Sequence, residues 1–279
     1  MTAADASSRP LLDVQNLPDT RQVPITWVGI SHVEMPIQVM QKDGKPQHVQ
    51  AVCRMNVGLP ADVKGTHMSR FIEELRDWSR NNVLTLNLYA FLGDLKERLK
   101  AETAQVEVAF RYFVDKPSPA TDGSAPMAYG CKLTATLDEA DNHELLMSVV
   151  VPVTTLCPCS KEISQYGAHN QRSEIRADLL VNHAREQRVL WLEDLIAALE
   201  ETASCPVYPL LKRPDEKYVT ERAYENPKFV EDVIRDATLL LRDYDGIDGF
   251  SLEVEAFESI HGHNAWARHA ENFQSFGMS

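Results

Sequence analysis

The stretch ELLMSVVVPVTTLCPCSKEISQYGAHNQRSEIRADLLV, Glu144 to Val181, decides the architecture. Its opening, Glu144–Val153, is nearly all apolar, as a buried strand should be. Its close, Gln171–Val181, reads as a second strand. Between them lies the densest run of reactive side chains in the chain: Cys157-Pro158-Cys159-Ser160-Lys161-Glu162, then His169, Asn170, Gln171 and Arg172. Reactive groups displayed on a loop between two strands are a common way for a rigid sheet to carry chemistry.

Upstream, residues 1–20 read as a flexible arm punctuated by Ser, Pro and Asp. Two strand-like runs follow, from Ile25 and over His48–Val57, and the turn signal Lys42-Asp43-Gly44-Lys45-Pro46 between them predicts a hairpin. Met68, Phe71, Ile72, Leu75 and Trp78 recur at helical spacing, as do Leu88, Leu92, Leu95 and Leu99. Period two returns where Val106, Val108, Phe110 and Tyr112 alternate with Glu107, Ala109 and Arg111, and again near Ala128–Leu137.

Downstream, the spacing predicts helices over Trp191–Glu201 and Asn226–Tyr244. Pro227 is expected in the first turn of the latter and Gly246 just past its end. A closing strand is expected over Ser251–Glu258. Strand–strand–helix–helix–strand therefore occurs twice. The expectation is an α+β chain with an arm over 1–20 and two similar modules, 21–140 and 141–279, the second holding most reactive residues.

Composition narrows the function. The 279 residues carry 28 Lys and Arg against 41 Asp and Glu, a formal charge of −13, with 44% apolar residues. That is a chain long enough for a sizeable core. The acidic balance argues against a nucleic-acid or anionic-membrane binder, since such affinity comes from clustered Lys and Arg. No apolar run approaches the roughly 20 residues of a membrane span. No secretory leader is legible at the start, and five cysteines do not suggest a disulfide framework, so a cytoplasmic setting is expected.

Three clusters carry chemistry: the Cys157–Arg172 motif, Arg213-Pro214-Asp215-Glu216-Lys217, and His261-Gly262-His263. Cys, His and Glu drawn from separate segments suit a borderline-soft divalent metal with one position open. A lone Cys-x-Cys is also compatible with inert thiols in an ordinary domain. No phosphate-binding glycine loop, nucleophile elbow or H-E-x-x-H helix is present. Cys53, Cys131 and Cys205 stand apart and read as structural.

CPCSKEISQYGAHNQR at 157–172 resembles GTP cyclohydrolase type IB, the prokaryotic enzyme that opens folate biosynthesis. VPVTTLCPCS, YPLLKRPDEKYVTERAYENPKFVEDVIRD, ESIHGHNA and PDTRQVPITWVGISHVEMP extend the resemblance over nearly the whole chain. It implies a bimodular tunnelling fold, with antiparallel sheets and paired helices forming barrels in a homotetramer whose active sites lie between subunits. The implied reaction converts GTP and water to 7,8-dihydroneopterin triphosphate and formate. Cys157, His169, Glu216 and His261 correspond to metal ligands, for zinc, iron or manganese. Cys157 and His169 are also implied in catalysis, with Cys159 and His263 as proton-transfer or supporting groups. Glu231 corresponds to the anchor for the guanine, and Lys161, Arg172, Lys212 and Arg213 are candidates for the triphosphate. The same fold also serves pterin synthases and cysteine-dependent nitrile reductases, and a non-catalytic metal-stabilised binding module is the alternative from another class.

Overall fold

The computed structural model of the chain describes residues 12–81, 84–181 and 189–273. Residues 1–11 of the expected arm and the side chains of residues 80–87 lie outside the described residues. Residues 12–20 are laid against the following loop: Leu17 C=O accepts from Lys64 N–H, Gln15 C=O from Gly65 N–H, and Asp19 N–H donates to Asp62 C=O.

Nine strands form one antiparallel sheet among the described residues. β1 (Ile25–Met40) and β2 (Pro46–Leu59) make the predicted hairpin, and α1 (Met68–Asn81) and α2 (Leu84–Leu99) follow it. β3 (Ala104–Pro117), β4 (Ser124–Leu137) and β5 (His143–Leu156) continue the meander. After α3 (Pro158–Ile163) come β6 (Asn170–Val181), α4 (Leu192–Glu200), β7 (Cys205–Pro206), α5 (Arg213–Glu225), α6 (Val230–Arg242), β8 (Ile247–Ala256) and β9 (Ala265–Glu271). The spatial order is β1-β2-β3-β4-β5-β6-β8-β9. The short β7 pairs with β5 at Val153 and Thr154, beyond the last β4–β5 pair at Gly130 and Val150.

Alternation explains the two faces. Val49, Ala51, Cys53, Met55 and Val57 of β2 and Val106, Val108, Phe110 and Tyr112 of β3 are buried with the helices in one core. The residues between them form polar ladders on the opposite face: Arg54 to Glu107 at 3.0 Å, Asn56 to Gln105 at 3.2 Å, and Arg176 to Glu253 at 2.7 Å. On the core side, α6 buries Val230, Val233, Ile234, Ala237 and Leu241, one helical stripe. Each large apolar side chain so buried contributes roughly 1.5–3 kcal/mol.

Several expectations need correction. The reactive motif is a short helix and turn rather than a bare loop, because Pro158 suits the first helical position and Cys157 caps it. α5 and β9 were not anticipated. Pro227 precedes α6 instead of opening it: Asn226 caps the end of α5, and Phe229 begins α6 with its N–H donated to the Asp232 carboxylate at 3.0 Å. The expected last strand starts earlier, at Ile247, and ends at Ala256.

Candidate functional site

Because every neighbouring strand pair is antiparallel, four hairpin turns emerge at one end of the sheet: residues 41–45, 118–123, 157–169 and 257–264. The last two converge. β5, β6 and β8 are neighbours, so the end of β5, the start of β6 and the end of β8 lie side by side.

Cys157 and His169 continue the β5–β6 ladder one step past Leu156 and Asn170, with Cys157 N–H donated to His169 C=O at 3.1 Å. Ser160 locks this neck. Its hydroxyl donates to Cys157 C=O at 3.1 Å and accepts from His169 N–H at 3.2 Å. The Cys157 Sγ, half-buried, accepts from Ser160 N–H at 3.4 Å as the cap of α3. Cys159 is exposed on the same turn. Gly167, at φ +89°, provides the left-handed residue that returns the chain to β6.

The His169 ring is held from one side. Its Nδ1 lies 3.0 Å from Gln171 Oε1 and 3.8 Å from Glu258 Oε2. Gln171 is buried and its amide donates to Thr155 Oγ1 at 3.0 Å and to Glu258 Oε1 at 3.5 Å. Occupation of Nδ1 leaves Nε2 as the nitrogen available for a ligand or a proton. Glu258 is only 13% exposed at its side chain, and its Oε2 is buried without a hydrogen-bond partner. A buried carboxylate oxygen in that state invites a cation or a donor.

Just beyond Glu258 the turn carries His261 and His263. The His261 ring stands edge-on to His169 with centroids 6.4 Å apart, and His263 stacks on His261 at 5.3 Å. Lys228 N–H donates to Leu156 C=O at 3.0 Å, which ties the segment leading into α6 to the end of β5; Glu231, in the first turn of α6, is exposed. The structure therefore gathers Cys157, Cys159, His169, His261 and His263 on two adjacent turns at one sheet end.

The remaining expected residues stand differently. Lys161 donates to Tyr224 C=O and lies over the Tyr224 ring at 4.3 Å, tied to the end of α5. Arg172, Lys212, Arg213 and Glu216 are exposed. Among the described residues no three His, Cys, Asp or Glu side chains come together closely enough to hold a metal. The expected ligand set thus does not close within this one chain.

Sequence reasoning missed Glu258 and Gln171 as working residues. Glu258 stands three positions before His261 in ESIHGHNA, and that proximity was the available signal. The structural reading of the other thiols agrees with their surroundings. Burial pushes Cys53 up to about 11 and Cys131 up to about 12, and raises Cys205, so all three remain neutral thiols.

A sequence profile described as Type I GTP cyclohydrolase folE2 matches residues 11–267. The GTP cyclohydrolase FolE2 of Azoarcus sp. (strain BH72) is 49% identical over 255 residues, spanning 91% of this chain and 93% of the relative. That of Aromatoleum aromaticum is 47% identical over 267 residues, spanning 96% and 95%. Among solved structures, the uricase from Arthrobacter globiformis superposes with a TM-score of 0.55 at 6% identity, covering 90% of this chain and 95% of that one. That likeness is one of fold alone, and the fold is the tunnelling fold.

Proposed function

The chain belongs to the type I GTP cyclohydrolase FolE2 family, and on that premise we propose that the cluster at the ends of β5, β6 and β8 is where it acts on GTP. The protein is a GTP cyclohydrolase, a hydrolase of folate biosynthesis. The reaction assigned to it takes GTP and water to 7,8-dihydroneopterin triphosphate and formate. The observation that carries the placement is the convergence of Cys157, His169, His261 and His263 on two adjacent turns at one sheet end, where a buried Glu258 Oε2 that accepts no hydrogen bond lies 3.8 Å from His169 Nδ1.

The donor set fits a divalent ion in kind: a thiol, two imidazoles and a carboxylate, from Cys157, His169, His261 and Glu216. Zinc, iron and manganese all accept such donors. When bound, the ion supplies Lewis acidity to the reaction. Since one chain brings no three of these donors to holding distance, the reading calls for a second copy to complete the site. Ile163, Tyr166 and Ile260, on the same two turns, are 83%, 92% and 64% exposed, an apolar rim suited to a neighbouring subunit. A homotetramer with active sites between subunits satisfies both observations.

The chain's own residues then have distinct tasks. Gln171, whose amide donates to Glu258, holds His169 by Nδ1, so that Nε2 faces the reaction. His263, stacked on His261, is placed to move a proton near the ring that opens, and Cys159 supports Cys157 on its turn. Glu231 accepts hydrogen bonds from guanine N1–H and the exocyclic amine together, a match that adenine cannot make. Arg172, Lys212 and Arg213 meet the triphosphate, and Lys161 secures α5 to the reactive turn.

The test supplies GTP with Mn²⁺, Fe²⁺ or Zn²⁺ and measures formate release and pterin fluorescence after oxidation. Product with at least one ion is expected. Absence of product with all three overturns the reading.

A further inference from the structure

α5 carries Lys212 at its start and Arg213 and Glu216 in its first turn, yet it has little to hold it by hydrophobic packing. Its only buried residues are Asp215 and Ala223. A side chain that must reach a shared site within about 0.5 Å needs a firmer mount than that. The mount is polar and comes from the other half of the chain.

Asp215 is fully buried and receives hydrogen bonds from three directions. Its Oδ2 accepts from Lys212 N–H at 2.8 Å and from the Thr121 hydroxyl at 2.7 Å, and its Oδ1 accepts from Ala120 N–H at 2.8 Å. The first of these donors belongs to the turn that opens α5. The other two belong to the tip of the β3–β4 hairpin, more than 90 residues away in sequence.

The tip is itself braced. Ser118 N–H donates to Gly123 C=O at 2.7 Å, and the Ser118 hydroxyl donates to Leu210 C=O at 2.9 Å. A Cβ on Gly123 would meet Ser118 Oγ at 2.7 Å and Leu210 Cδ2 at 3.0 Å, so any larger residue there would have to push the Ser118 hydroxyl aside. Just below the tip, Lys116 of β3 and Tyr129 of β4 both bond Glu200 Oε1, at 2.6 and 2.8 Å. Glu216 follows Asp215 directly and makes the first bond of the helix, its N–H donated to Lys212 C=O at 2.9 Å.

We propose that the β3–β4 hairpin tip, acting through Asp215, is the device that positions Glu216 for ligation. Asp215 is a positioning residue and touches neither substrate nor metal. The inference rests on the reading of Glu216 as a metal ligand, and the experiment separates the two.

Full-length protein stripped of metal by a chelator is titrated with Co²⁺, following the thiolate-to-cobalt absorption band, in a double-mutant cycle of Thr121→Val and Glu216→Ala. Asp215→Asn is measured beside it. Thr121→Val is expected to weaken Co²⁺ binding several-fold, and Asp215→Asn by roughly tenfold or more. In the Glu216→Ala background, Thr121→Val should cost nothing further. Equal losses in both backgrounds would mark a general structural role and overturn the proposal, as would no loss from Thr121→Val while Glu216→Ala binds weakly. If Glu216→Ala binds Co²⁺ like the parent, the ligand reading itself fails and the proposal with it. Should Asp215→Asn not fold, the Thr121→Val cycle still decides.

Discussion

The first hairpin of each half is built alike and finished differently. β1 and β2 are joined by the five residues 41–45, in which Gly44 takes a φ of +83° and Gln41 N–H meets Lys45 C=O at 2.9 Å. β5 and β6 are joined by a longer excursion, which caps a short helix with Cys157, turns at Gly167 and returns at His169. The β5–β6 ladder keeps one register throughout. The β1–β2 ladder does so over the eight pairs next to its turn, Val33↔Cys53 to Met40↔Pro46, slipping only farther away between Ile25 and Val28 and between Ile30 and Val33. The difference shows where chemistry has been added: in the connection, above strands that would pair without it.

The comparison breaks first at the reactive thiol. Cys157→Ala should lower turnover roughly a hundredfold or more while leaving the melting curve nearly unchanged. Cys131→Ala, in the buried core, should do the reverse, with stability lost and turnover kept. Activity assays paired with thermal melts on both variants decide it.

Glu258→Gln keeps the shape beside His169 but removes the charge. A loss of roughly 10- to 100-fold in metal affinity or turnover is expected, read by metal titration and steady-state kinetics. Parent-like values in both would mean that the buried oxygen is incidental.

Placing the same alanine in both turns sharpens the contrast. Gly44→Ala and Gly167→Ala each force a side chain into the left-handed region, at about 1–2 kcal/mol. Urea unfolding should register both. Only Gly167→Ala should also reduce kcat/KM, because only that turn ends on His169.

The smallest effect concerns acid. The Asp215 carboxyl lies below its ordinary value, so its contribution to stability is complete above about pH 3.9, the unfolded value. It is lost as pH falls through the lower folded value. Asp215→Asn should therefore show a shallower fall in stability below about pH 4, measured by unfolding across pH, with the parent as reference.

Much of the architecture is legible because it rests on periodicity. The β3 alternation from Val106 to Tyr112 advertises the face it buries, and the α1 stripe does so through Phe71, Leu75 and Trp78, while Met68 and Ile72 of the same stripe stay exposed. α5 escapes such a reading for the opposite reason. RPDEKYVTERAYE buries only Asp215 and Ala223, so no apolar stripe exists to be seen, and only Pro214 followed by two acidic residues marks its start. β9 hides similarly, as a mostly exposed edge strand in which Ala, Trp, Arg and His follow one another. At the site, Cys157, His169 and the two late histidines stand out by their chemistry. Glu258 does not, since its meaning depends on lying beside Gln171, 87 residues earlier. A contact of that span is a property of sheet order, which no local pattern carries.

The turn between β4 and β5 has its own consequence. Asp138 and Asn142 close it, with Asn142 N–H and Ala140 N–H both donated to Asp138 Oδ1 at 2.8 Å, and eight residue pairs from Gly130↔Val150 to Leu137↔His143 follow without interruption. The tether is so short that each half meets the other at an effective concentration far above that of separate chains. Cut there, the chain should behave as a complementing pair of fragments, whose reunion depends on dilution. Intact, it should melt in a single cooperative step.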